Sequence, residues 1–347
     1  MVTPQQQSSY QYREDILKQI KKHIPFDAYC FSLIDPYRLL SSGAVTHEGI
    51  ELIHDSLFSN EYQVNDYNQF IDLMMENRPV ASLYETTHGQ PEVSERYRTI
   101  LEPAGFIDEL RVVFMDEGKC WGQLALFRSK AQVHFKPDEI KWLYSILSLT
   151  TASLKQFYLQ GVEKDWSYAP SETGIMMLSE ELELIGANET ALELLELLRA
   201  EEQIVGPTLP RSIRVLCKSN HGEEKTTSPS RSNLLVYVPT GYYVSIEANA
   251  LLNYEGKLQF AISFQKATAN DLIPLLSDAY HLSLREREVL TQILRGSSTK
   301  EISQALYISP YTVQDHLKSI FAKTKVTTRR ELIWKFLSQF NFSSSLQ

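Results

Sequence analysis

Residues 308–321, "ISPYTVQDHLKSIF", decide what the C-terminal end of this chain can be. The Ser309 hydroxyl can accept a backbone N–H at a helix start, and Pro310 sits where a missing N–H costs nothing. A helix therefore begins here. Val313, Leu317, Ile320 and Phe321 recur at i, i+4, i+7 and i+8, one apolar stripe facing a core. Gln314, Asp315 and Lys318 then point together the other way. A solvated surface would explain such a face as well as a binding role would, so the neighbouring residues have to decide.

Each neighbouring helix marks its own start. Ser283 with Glu286, Ser298 with Glu301, and Thr328 with Glu331 have the Ser/Thr-x-x-Glu spacing in which hydroxyl and carboxylate satisfy end donors reciprocally. With Ser309 they predict four capped helices. The first carries Val289, Leu290, Ile293 and Leu294 and stops at Gly296, a residue suited to a left-handed cap. The second, "TKEISQAL", is barely two turns, with Ile302, Ala305 and Leu306 inward. Only "YIS" separates it from the helix after Ser309. Two short helices joined so tightly, the second with a polar face, form a helix-turn-helix. The last helix, "RRELIWKFLSQF", carries Leu332, Ile333, Phe336, Leu337 and Phe340 on more than one stripe. Part of that surface is expected at a dimer contact, with packing on its own first helix as the alternative.

The charge of the chain divides along its length. It is −9 overall, yet residues 282–340 hold ten basic side chains against five acidic ones, which leaves +5 there and −14 elsewhere. A basic module meant for an anionic partner, attached to acidic domains, fits that split.

The segment "LSLREREVLTQILRGSSTKEISQALYISPYTVQDHLKSIFAKTKVTTRRELI" resembles the LuxR/NarL-type DNA-binding domain. The pieces that match, in the family's order, are "LREREVL", G-x-S-x-K-E-I, L-x-I-S-x-x-T-V, H-L-x-x-I-x-x-K and R-x-E-L. Thr299 stands where Asn is frequent in the family, and Gln314 where Lys is. The resemblance implies that the second helix of the motif lies in the major groove. Gln314, Asp315 and Lys318 there offer an amide, an acceptor and a cation, suited to adenine, cytosine N4 and guanine or phosphate. Asp315 either accepts from cytosine or pairs with Lys318. The Ser309 and Thr312 hydroxyls and the amides at the helix start can bind phosphate. Lys300, Lys325, Arg329 and Arg330 are candidate backbone contacts.

The front of the chain reads as two further domains. "YREDILKQIKKHI" is helical, "AYCFSLID" strand-like, and "ELRVVFMDEGKCWGQLALFR" a hairpin around Asp116, Glu117 and Gly118. "FKPDEIKWLYSILSLTTASLKQFYL" enters a helix at Pro137. This α+β order, over residues 1–160, resembles a GAF sensor domain. Residues 161–173 are polar and serve as a linker. "GIMMLSEELELIGAN" then gives two short strands, Asn188 caps "ETALELLELLRAEE", and three β-rich runs follow to about residue 265. That α+β order, over residues 174–268, resembles a PAS domain, with "SNHGEEKTTSPSRSN" as a loop. Residues 269–281 read as a second linker in which Pro274 prevents a continuous helix and makes a hinge. The fold class is thus multidomain, with a GAF-like domain, a PAS-like domain and an all-α four-helix helix-turn-helix domain at 282–347.

At 347 residues, 43% hydrophobic and 22% charged, the chain has the composition of an ordinary soluble globular protein of more than one domain. It shows no signal-like start and no membrane-length apolar run, so a cytoplasmic location is expected. Cys30, Cys120 and Cys217 are far apart and read as buried free thiols. No P-loop, GxSxG or HExxH motif appears, so no catalysis is expected, and no metal or cofactor either, beyond an unidentified small-molecule effector. The expected function is sequence-specific transcriptional regulation. The GAF- and PAS-like domains would sense a small molecule or partner and set the dimeric arrangement of the tails. Double-stranded DNA and a second copy of the chain are the expected partners, with RNA polymerase or the effector as further candidates and no membrane. The alternative is a protein-interaction regulator whose front domains are dimerisation scaffolds and whose tail touches DNA weakly. Residues lining an effector pocket are not identifiable from sequence, since the aromatic residues near Trp121, Phe127, Tyr243 and Phe264 suit a core equally well.

Overall fold

In a computed structural model of the chain, residues 7–162, 172–219 and 233–337 are described. The parts of the expected linker at 163–171 and of the expected loop at 220–232 lie outside them, as does Phe340. The two sheets belong to one compact unit and the C-terminal helices to a second.

The first sheet is introduced by α1 (Ser9–His23), capped by Ser8, and has the order β2-β1-β5-β4-β3, antiparallel throughout. Its strands are β1 (Ala28–Ile34), β2 (Ser41–Thr46), β3 (Val80–Ser82), β4 (Phe106–Asp116) and β5 (Lys119–Ser129). Between β2 and β3 run α2 (Glu48–Glu51), α3 (His54–Gln63) and α4 (Phe70–Met75), and α5 (Leu83–Thr86) follows β3. The hairpin turns at Glu117 and Gly118, both at positive φ, as a two-residue loop matched to the strand twist requires. Pro137 opens α6 (Pro137–Leu159), as its position in the sequence predicts. The Gly122 backbone lies under Leu154 of that helix, and Phe31 stacks on Phe114 on the sheet.

The second sheet has the order β7-β6-β10-β9-β8, from β6 (Gly174–Ser179), β7 (Leu184–Ala187), β8 (Asn233–Tyr237), β9 (Tyr243–Leu252) and β10 (Leu258–Lys266). Asn188 caps α7 (Glu189–Glu201) by accepting the Ala191 N–H at 3.1 Å, and α8 (Arg211–Ser219) follows. Trp121, Tyr243 and Phe264 are buried in core. All three cysteines are free; Cys120 and Cys217 are buried, and burial pushes both of those thiols up to about 12.

Helix α8 is also where the two sheets meet. It packs on β2 and α3, and its Arg211 and Arg214 both bond the Glu51 carboxylate, Arg211 at 3.0 Å. Each guanidinium there is nearly out of water, which makes the shared carboxylate a structural requirement.

One expectation fails. Residues 269–281 contain no hinge at Pro274: α9 (Ala269–Ala279) runs straight through it. Proline inside a helix costs roughly 3 kcal/mol through its missing N–H and its crowding of the carbonyl four residues earlier. Leu272, Leu275 and Leu276 are fully buried on the same helix, and burial of a leucine contributes about 1.5–3 kcal/mol each. A reciprocal cap between Thr268 and Asp271 adds to that, so burial and capping outweigh the proline.

Gly174 is a position where packing leaves no room. A Cβ there would stand 3.1 Å from both the Cα and the N of Ala191, at the start of α7, and backbone cannot rotate aside as a side chain can. Gly174→Ala is therefore expected to destabilise the second sheet by roughly 1–3 kcal/mol, read as a lower midpoint in urea unfolding. An unchanged midpoint would show that α7 is free to shift.

Candidate nucleic-acid interface

The C-terminal helices are α10 (Leu284–Leu294), α11 (Thr299–Ala305), α12 (Pro310–Thr324) and α13 (Arg329–Leu337). Reciprocal caps form as the spacing predicts at Ser283 with Glu286 and at Ser298 with Glu301. At the fourth helix the pair is displaced. The Thr328 hydroxyl does accept the Glu331 N–H at 3.1 Å, but the Glu331 carboxylate turns to the N–H and hydroxyl of Thr327, at 2.7 and 2.9 Å. Gly296 ends α10 at φ 86°, as expected of a left-handed cap.

Two observations fix the angle between α11 and α12. Tyr307 takes a positive φ in the connection, with Ile308 N–H bonded back to the Ser303 carbonyl at 3.0 Å. Arg285 of α10 donates to the Leu306 carbonyl, so the first helix holds the turn. Ile302 is buried and Leu306 half-buried, but Ala305 is exposed, contrary to expectation, and Ser303 takes the inward position with its hydroxyl bonded to the Lys300 carbonyl. On so short a helix the entry into the turn, rather than the apolar spacing, sets which residues face in.

The second helix of the pair is held by one carboxylate. Glu286 accepts from Ser283 N at 2.6 Å within its own cap, and then from Ser319 Oγ at 2.5 Å and Lys323 Nζ at 2.7 Å on α12. The side chain is almost fully enclosed. Burial alone would raise its carboxyl, but the bonds from Lys323, Ser319 and Ser283 outweigh that and hold it at about 2. Val313, Leu317 and Ile320 are buried beneath α12, with Phe321 half-buried at the edge.

The opposite face of α12 is left to solvent. Gln314, Asp315 and Lys318 are exposed side by side, and Ser309 accepts the Thr312 N–H at 3.0 Å while the two hydroxyls bond at 2.8 Å. Lys318 Nζ lies 3.1 Å from Asp315 Oδ1, so the acid is paired within the helix. Gln314 reaches back to the Thr299 hydroxyl at 3.4 Å, a long contact that leaves its amide available. Lys300 and Arg330 are exposed, and Lys325 ends α12 at φ 55° with its side chain in solvent. Arg329 is the exception among the candidate contacts: it is half-buried and donates to the Ser297 carbonyl, joining α13 to the loop before α11. Two exposed tyrosines were not singled out from sequence, Tyr307 in the turn and Tyr311 at the start of α12, the latter with Lys318 Nζ 5.9 Å from its ring. Their exposure follows from the turn, which apolar periodicity does not report.

Leu332 and Phe336 are buried within this unit, Phe336 with its ring 5.8 Å from that of Tyr280, and Lys335 donates to the Thr324 carbonyl at 2.8 Å. Leu332 and Phe336 therefore pack at home, and among the described residues of α13 the large exposed apolar side chain is Trp334.

Residues 280–336 match the model of bacterial regulatory proteins of the luxR family. This end of the chain is a luxR-type domain. Over 52 residues it is 46% identical to the transcriptional regulatory protein YhcZ of Bacillus subtilis, a match covering 15% of this chain and 24% of that one. The monoamine regulon transcriptional regulator of Klebsiella aerogenes is also 46% identical over 52 residues, 15% of this chain and 23% of the relative. The chain thus spans about a quarter of the length of these relatives. Among solved structures, Escherichia coli SdiA aligns over 96% of this chain and 91% of its own at 14% identity and a TM-score of 0.31. A score that low establishes no common fold, so the relationship rests on the luxR-type domain alone.

The Glu286 bonds set a pH dependence. The carboxyl titrates near 4.5 when unfolded and at about 2 when folded, so its contribution is fully present above 4.5 and is lost as pH falls toward 2. Denaturation of the luxR-type domain should show that loss in the native chain, and Glu286→Gln should flatten it while lowering stability at pH 7 by roughly 2–3 kcal/mol. Equal acid dependence in both proteins would show that another group is responsible.

Proposed function

We propose that the protein is a sequence-specific DNA-binding transcriptional regulator. The observation that carries this reading is the exposed face of α12, where Gln314, Asp315 and Lys318 stand together on a helix whose other side is locked by Glu286. A helix in the major groove needs that combination of rigidity and free polar groups. With Asp315 paired to Lys318, Gln314 is the group best placed to read a base edge, through a bidentate bond to adenine. Lys300, Lys318, Lys325 and Arg330 supply phosphate contacts, with the Ser309 and Thr312 hydroxyls at the helix start. Arg329 orients α13 and takes no part in binding.

The finer organisation belongs to the same proposal. Residues 1–160 and 174–268 act as GAF- and PAS-like sensor domains, and residues 282–347 as the DNA-binding domain. The sensors set how two luxR-type domains are arranged in a homodimer on an inverted repeat. Exposed Trp334 on α13 supports a contact between copies, since a tryptophan in solvent is costly unless covered.

Fluorescence anisotropy on promoter DNA tests the reading. Binding should weaken with salt at a log–log slope of about 0.9 per neutralised phosphate. Lys318→Ala should weaken all sites alike, whereas Gln314→Ala should cost about 1–3 kcal/mol on a matched site and little on a mismatched one. Absence of binding above nonspecific competitor would sink the proposal, and equal effects of Gln314→Ala on both sites would remove Gln314 from base reading. Trp334→Glu should shift the protein from dimer to monomer in sedimentation; an unchanged dimer would place the contact elsewhere.

A further inference from the structure

The first sheet has one face that ought to be apolar and is not. Side chains alternate along a strand, and a sheet face covered by helices is ordinarily hydrophobic because buried polar groups must find partners. Under α2, α3 and α4, however, the sheet presents Cys30, Ser32, Ser41, Glu109, Arg111 and Gln123. Register places Ser32 opposite Gln123 and Cys30 opposite Ala125, so these residues share the face across adjacent strands. They line a cavity of about 80 Å³, partly open to solvent.

The charged groups on this face are already paired. Arg96 bonds Glu109 at 2.9 Å, and Arg111 bonds Glu109 at 2.9 Å and Glu61 at 2.6 Å. Burial would raise the Glu109 carboxyl, but Arg111 and Arg96 together hold it below the usual carboxylate range. Two other groups, by contrast, are unpaired: Ser41 Oγ and His54 Nδ1, in residues only 5% and 4% exposed, have no hydrogen-bond partner. Both residues line the cavity. Leaving such groups dry is costly, and a molecule with its own donor and acceptor would recover that cost. Phe58, Tyr62, Phe70 and Phe127 supply flat apolar walls around them.

We propose that this cavity is the effector site, and that it takes a compact, uncharged, aromatic molecule with a hydrogen-bonding group at its edge. A charged ligand would find no unpaired counter-charge among the lining residues. The inference rests on the sensing role proposed above and gives it a location and a route. Ile50, a wall of the cavity, is followed by Glu51, whose carboxylate holds Arg211 and Arg214 of α8. From the sheet side, Cys30 accepts the Thr46 hydroxyl at 3.7 Å, and Thr46 accepts from Arg211 at 2.6 Å. A ligand that displaces Ile50 or Cys30 thus moves groups bonded to α8, and the second sheet receives the change.

Calorimetry on the full chain with benzamide, benzoate and benzylammonium separates the outcomes, since the three differ mainly in charge. Benzamide should bind and raise the melting temperature, with both charged probes at least tenfold weaker. His54→Phe keeps a ring beside Phe58 without Nδ1, and should weaken benzamide about tenfold without lowering thermal stability; Ala125→Phe should fill the cavity and abolish binding. No benzamide binding, equal binding of the charged probes, or full binding by both variants would overturn the assignment. Because binding is measured without DNA, failure here counts against the cavity, whereas bound benzamide with unchanged DNA affinity counts against the regulatory reading.

Discussion

A carboxylate taken out of water must be met by donors in fixed directions, and in this chain that requirement sets one element against another. Glu286 is the case on which the luxR-type domain depends. Its carboxylate closes the cap of α10 and receives Ser319 and Lys323 from α12, so one side chain both starts the first helix and orients α12. Glu109 does the same within the first sheet, between Arg96 and Arg111. Between the two sheets the buried groups are instead Arg211 and Arg214, which share the partly exposed Glu51 carboxylate. In each case the apolar core supplies most of the burial, but the ion pair decides the geometry, because hydrophobic contact is non-directional and a charged hydrogen bond is not.

That division bears on how the interface works. An α12 held only by Val313, Leu317 and Ile320 could rotate or slide by a fraction of a turn at little cost. Anchored through Ser319 and Lys323 as well, its free face has a defined direction. In the proposed complex the Asp315–Lys318 pair tempers the charge at the centre of the face, leaving grip to cations at its margins and choice to the Gln314 amide. On that proposal, the surface would bind phosphate less strongly than one with lysine at position 314 and depend more on the bases it meets.

Much of this architecture was legible in the residues. Ser283, Ser298, Ser309 and Asn188 announced their helices, and the Glu117–Gly118 turn its hairpin, because caps and tight turns are satisfied by groups within a few residues of one another. The Pro274 helix was not legible, since the leucines that outweigh the proline do so only once they are buried. Nor was the role of Arg329, whose partner carbonyl at Ser297 is thirty-two positions away. The polar face under α2–α4 was hidden for the same reason: Ser32, Ser41 and Gln123 are unremarkable on their own strands and become a lining only when register sets them side by side.

The sequence by itself determined the luxR-type domain: its capped helices, its tight turn and the residues offered on the free face of α12 all follow from short-range periodicity and end-group chemistry. Only the tertiary structure decided which of those side chains remain free to act. It spent Arg329 on the scaffold, buried Leu332 and Phe336 at home while leaving Trp334 outside, and enclosed Ser41 and His54 without partners. The physical reason is that a side chain's capacity to bond is set by its own chemistry, whereas its availability is set by neighbours that the fold brings from far along the chain.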